Sequence, residues 1–192
     1  DDYGADVAPA FDLAPYTSGE LDRGAFLARV ASLIPEWYFS VVSSGGPGFV
    51  SPGAVSRTTV LLEAGTYVAE CYVKTPDGRF HVELGMIHQI TVAGEPTGAA
   101  PPEYDIEMSL TNYEIGWQGD LTPGTHTARI EYVDDPEGFF KHDVHLVRLD
   151  GDTTAEDLIP WMDWVDGLLA PAPARFEGGS KRPSGSSPVS SS

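Results

Sequence analysis

The sequence predicts an all-β protein, a sandwich of short strands with one or two short helices. Three observations lead there. Runs of five to nine residues rich in Val, Ile, Thr and Tyr recur between Gly, Pro and Asp turns, which is the strand signal. Helical periodicity appears in two places only. The strands fall into two sets on either side of a Gly/Ala/Pro-rich linker, and neither set closes a sandwich alone. A half-sandwich leaves open edges and an uncovered apolar face, so the two sets are expected to pack as one composite, permuted sandwich.

Residues 1–19 are polar, with Gly4, Pro9, Pro15 and Gly19, and read as an extended arm. Leu21, Phe26, Leu27, Val30, Leu33 and Ile34 have helical spacing, and Pro35 ends that helix. Gly45-Gly46-Pro47-Gly48 and Pro52-Gly53 are loop chemistry. Arg57 to Glu63 reads as a strand, Ala64-Gly65 as a turn, and Thr66 to Val73 and Met86 to Val92 as strands. The linker covers 94–103, so 20–93 forms a first half. The second half, 104–179, holds strands at Tyr104 to Thr111, Tyr113 to Gln118, Thr125 to Val133 and His142 to Leu149. Turns at Thr122-Pro123-Gly124 and 134–138 separate them. Thr153 and Glu156 have capping-box spacing for a second helix reaching about Val165, kinked at Pro160. Residues 180–192 carry Val189 as their one apolar anchor and read as a disordered tail.

A repeat underlies the two halves. Phe26-Leu27 precedes Gly45-Gly46 much as Leu158-Ile159 precedes Gly178-Gly179. Helix, Gly-Gly and loop thus occur twice.

Composition narrows the function. The 192 residues are 41% hydrophobic, enough for a real core. No run of 18 apolar residues occurs, so no membrane-spanning helix is expected. Asp1-Asp2-Tyr3 reads as the start of a mature or trimmed chain. The net charge of −18, with lysines only at Lys74, Lys141 and Lys181, argues against nucleic acid and anionic membrane surfaces. An acidic surface suits a carrier that docks to a basic partner, a salt-rich habitat, or ordinary solubility. The single cysteine excludes an internal disulfide framework.

That cysteine carries the most chemistry. Cys71 is followed ten positions later by His81, and Met86 comes five after that. A thiolate, an imidazole and a thioether on one loop between two strands are three of the four ligands of a blue-copper site, which has two His and one Cys in a plane and a weak axial Met. Gly65-Thr66-Tyr67, Cys71, Asp77-Gly78, His81 and Gly85-Met86, in that order, resemble the C-terminal ligand loop of cupredoxins and of secreted cupredoxin-like domains. The resemblance covers roughly residues 45–93. It implies a Greek-key β-sandwich, an exported location and one mononuclear copper ion. His142-Asp143-Val144 is similar to the family segment that carries the first His ligand, so the resemblance makes His142 the fourth ligand beside Cys71, His81 and Met86.

The family runs His, Cys, His, Met along its chain, and this sequence departs from that order. No histidine precedes His81 and no cysteine follows Cys71. Each half carries what the other lacks, by way of a composite domain, a piece of a tandem protein, or exchange between chains. Taken singly, Cys71 and Met86 also read as core residues and His81 as an ordinary loop histidine. His142 and His145 alternate on a strand and face opposite sides, which disfavours a cluster with His126 and Asp143. His88 reads as a solvent-facing strand residue. No Gly-x-Ser-x-Gly elbow, phosphate loop or dinucleotide fingerprint is present.

The expected function is an exported copper-binding and electron-transfer module, not by itself an enzyme, with a redox partner that offers a basic face. The alternative is a copper-free cupredoxin-like domain that binds or builds at a cell surface or in the periplasm.

Overall fold

The computed structural model describes residues 3–134, 136 and 142–181. Among them the protein is mainly β. Seven strands form three small sheets, ordered β1-β2, β4-β3-β5 and β6-β7. One helix exceeds a single turn, α3 (Arg23–Leu33); α1 (Tyr3–Asp6), α2 (Ala14–Thr17) and α4 (Leu158–Trp161) are one turn each.

The chain divides into two compact units. Unit 1 takes residues 1–41, 63–94 and 149–175, and unit 2 takes 42–62, 95–148 and 176–192, so each draws on both sides of the linker.

Unit 1 is organised by an aromatic core. Val7, Ala10, Phe11, Leu13, Phe26, Val30, Tyr38, Phe80, Val82 and Val165 are buried together. The first 19 residues are therefore not an extended arm. Pro9 and Pro15 sit in the first turn of helical segments, where a missing N–H costs nothing. Between them Val7, Phe11 and Leu13 anchor the segment in the core. Asp22 caps α3 by accepting from the Ala25 amide at 2.8 Å, and Phe26 and Val30 face inward. The second expected helix shrinks to Leu158–Trp161, with Asp157 rather than Thr153 at the N-cap. The Asp157 side chain caps no helix amide and accepts from the Thr154 amide before the helix at 2.8 Å. The turn that follows is held from two sides. Arg23 forks onto Asp163 at 2.9 Å. Lys74, 5% exposed, donates to the Val165 and Gly167 carbonyls at 3.0 and 2.9 Å.

In the same unit β1 (Gly65–Glu70) and β2 (Ile87–Val92) form an antiparallel ribbon, with Gly65 opposite Val92 and Glu70 opposite Ile87.

In unit 2, β3 (Ile106–Thr111) buries Ile106, Met108 and Leu110 on one face by strict alternation. β4 (Glu114–Gln118) pairs with β3 antiparallel, while β5 (Ala128–Tyr132) pairs with its other edge in parallel. The loop after β4 carries the chain past β3, which a simple antiparallel meander does not do. β6 (Asp143–Arg148) and β7 (Arg175–Lys181) form the third sheet. The two glycine-rich copies of the repeat meet here: the Gly179 amide donates to the Pro47 carbonyl at 2.9 Å, and a Cβ on Gly48 would stand 2.9 Å from Gly179 Cα. Residues 57–62, expected as part of a strand, join no sheet, and Leu61 is 91% exposed. Ser180 and Lys181 of the expected tail lie in β7, and residues 182–192 lie outside the described residues, as do 135 and 137–138 of the expected turn.

Candidate metal centre

The β1–β2 ribbon delivers the candidate ligands. Its last pair is Glu70 with Ile87, so the next positions outward on the two strands are Cys71 and Met86. Past that point the chain makes a smaller excursion, closed by a Lys74–Phe80 bridge and a turn in which Gly78 adopts φ +88°. A residue with a side chain is strained at that angle, and glycine is not. The excursion folds back so that the His81 amide donates to the Val73 carbonyl at 2.8 Å and the Val82 amide donates to the Cys71 carbonyl at 3.0 Å. His81 opens a short 3-10 turn, His81–Leu84, ended by Gly85 at φ +90°. The Met86 amide then donates to the His81 carbonyl at 2.9 Å.

These backbone bonds bring Cys71 Sγ within 3.7 Å of His81 Nδ1. Phe80 and Val82, 1% and 4% exposed, flank His81 as core anchors, so the imidazole stands on a rigid base. Cys71 is a half-buried free thiol, whereas Met86 is 58% exposed. The spacing fits a shared soft metal ion. Bonds of about 2.3 Å to sulfur and 2.0 Å to nitrogen, opened to about 120°, separate the two atoms by about 3.7 Å. It also fits a thiol–imidazole hydrogen bond. A cysteine sulfur beside an imidazole is a donor pair that suits soft or borderline ions such as copper or zinc better than hard cations.

The structure thus gathers Cys71 and His81 on one hairpin end, with Met86 on the adjoining backbone. His142 belongs to unit 2, where its Nε2 lies 3.3 Å from Asp134 Oδ1. His145 stacks on Phe49 with centroids 4.9 Å apart, and its Nδ1 accepts from the Phe49 amide at 3.4 Å. His88 is exposed on β2. His126 binds Asp105. Among the described residues, no group of three or more His, Cys, Asp and Glu side chains gathers as a metal cluster.

Sequence reasoning passed over two residues around this hairpin. Lys74 is buried, and loss of hydration holds its ammonium below the ordinary lysine value. Glu83 accepts from the Phe80 amide at 3.0 Å, and its own amide donates to the Phe80 carbonyl at 3.1 Å. The three-residue step from Phe80 to Glu83 has the spacing of a helix-capping glutamate and was the signal available for it.

No family model, no curated protein and no solved structure matches the chain.

Proposed function

We propose that this protein is an exported cupredoxin-like module that binds one copper ion and passes electrons. The single observation that carries the reading is the 3.7 Å approach of Cys71 Sγ to His81 Nδ1 at the end of the β1–β2 ribbon. In this reading Cys71 and His81 supply two ligands and Met86 the weak axial contact, while His142 is a ligand only by the sequence resemblance. This reading takes the finer fold as a composite Greek-key sandwich made from both halves, departing from an all-antiparallel one at the parallel β3–β5 pair. A bound copper ion would supply one-electron chemistry, tuned by the axial ligand and the surroundings of the thiolate sulfur. The chain would hold the ligands still: Phe80 and Val82 pin the imidazole, and the bond from the Val82 amide to the Cys71 carbonyl fixes the two ligand segments in register. The net charge of −18 suits a redox partner with a basic docking face, reached by electrostatic steering.

A second reading is a copper-free binding or structural domain of the same fold. The contact of His142 with Asp134 favours it, because it gives that imidazole a structural partner.

Comparison of His142→Ala with His145→Ala separates the two. After loading with Cu(II) and desalting, the copper-binding reading expects His145→Ala to retain one copper per chain and His142→Ala to lose it or to show an altered copper EPR spectrum. Copper retention and an EPR spectrum unchanged by His142→Ala would remove His142 from the ligand set. Failure of the unsubstituted protein to retain copper would leave the copper-free reading.

A further inference from the structure

We propose that Glu83 is a positioning residue for the Cys71–His81 site: its carboxylate closes the turn that carries His81 and so aims the imidazole at the thiol. The inference rests on the copper-binding reading for its use, but on separate geometry for its substance.

Three contacts carry it. Glu83 bonds Phe80 from both sides, accepting from its amide at 3.0 Å through Oε1 and donating to its carbonyl at 3.1 Å. Phe80 directly precedes His81 and is 1% exposed, so the clamp acts on backbone fixed in the core. On the other side of His81, the Val82 amide is tied to the Cys71 carbonyl at 3.0 Å. His81 therefore sits between a bond that fixes its turn and a bond that fixes its distance from Cys71. Loss of the Glu83 acceptor leaves the Phe80 amide without it and lets the start of the turn unwind toward the Thr75–Gly78 loop. The imidazole moves with it, because Phe80 and His81 share a peptide plane.

What the clamp needs is an acceptor oxygen at the right reach, not a charge. Glutamine keeps that oxygen, whereas aspartate keeps the charge but is one methylene short. Partners behind metal ligands are commonly worth about 10–100-fold in metal affinity.

The test compares Glu83→Gln, Glu83→Asp and Glu83→Ala in the full chain. Cu(I) affinity is measured anaerobically by competition with a chromophoric chelator. In the metal-free protein, NMR reads the nuclear Overhauser contact between the Cys71 β-protons and the His81 ring. The expected result is that Ala and Asp weaken Cu(I) binding by about 10–100-fold and lose the contact, while Gln keeps both. If Ala does not fold, the Asp and Gln pair decides alone. Loss in Gln would overturn the proposal, since the carboxylate charge and not only the acceptor's reach would then matter. Full retention in Asp would overturn it as well. A wild-type chain that binds no Cu(I), yet shows the contact kept in Gln and lost in Asp, would sink the copper-binding reading and leave the positioning role of Glu83 standing.

Discussion

At the scale of single residues, the hydrogen-bond geometry shifts protonation equilibria. His126 places Nε2 2.6 Å from the Thr122 carbonyl and Nδ1 2.5 Å from Asp105 Oδ2. Both partners are acceptors, so a protonated ring, with a donor on each nitrogen, suits them better than either neutral tautomer. The Thr122 carbonyl first, and the Asp105 carboxylate second, raise its pKa above the ordinary 6.5. A histidine whose folded pKa is raised stabilises the fold fully below its unfolded value, and that contribution disappears as pH climbs through the folded value. The expected outcome is an NMR titration of His126 with a midpoint above 6.5 that falls toward 6.5 in Asp105→Asn. The Thr127 amide, which donates to Asp105 Oδ1 at 2.8 Å, should lose exchange protection over the same pH range. A midpoint at or below 6.5, unmoved by Asp105→Asn, would contradict the imidazolium assignment. Asp163 shows the opposite sign. The Arg23 fork holds its carboxyl at about 2, so its contribution is present above the ordinary 3.8 and disappears as pH falls from there toward 2.

At the scale of elements, close backbone approaches decide which residues the structure tolerates. A Cβ on Gly179 would stand 2.0 Å from the Val144 carbonyl oxygen, in the sheet where β6 meets β7. The oxygen is backbone and a Cβ is fixed rigidly to its own backbone, so neither can swing away. Gly179→Ala is expected to destabilise unit 2 by about 1–3 kcal/mol, the usual cost of overpacking. Denaturant unfolding checks this, and an unchanged midpoint would mean the strands part without cost. The same scale shows what the sequence made legible. Helix α3 was legible because the apolar spacing and Pro35 agree on it, and the structure adds the Asp22 cap. The meeting of Cys71 and His81 was legible because their ordered spacing with Met86 ties the three residues to one ribbon end. The helical turns before residue 18 were missed because Pro9 and Pro15 read as breakers, while proline also suits the first turn of a helix. Residues 57–62 have strand composition, but pairing is a tertiary choice that propensity does not settle. The clamp of Glu83 on Phe80 was invisible in composition, because its effect depends on how a half-buried carboxylate meets a backbone amide.

At the scale of the whole molecule, the repeat is shared out rather than folded copy by copy. α3 and α4 both enter unit 1, while both glycine-rich copies enter unit 2. Each unit therefore depends on both halves of the sequence. Within unit 1 the helices, the proline-led turns and the aromatic core support one ribbon, and the far end of that ribbon carries Cys71 and His81. The central claim is that this end is a soft-metal site, and the visible absorption spectrum tests it most directly. One equivalent of Cu(II) is added to the wild-type chain and to Cys71→Ser. The expected result is an intense visible band from thiolate-to-copper charge transfer in the wild type and none in Cys71→Ser, because a hydroxyl is a hard ligand without that transition. Identical spectra from the two proteins, or no band in the wild type, would contradict it.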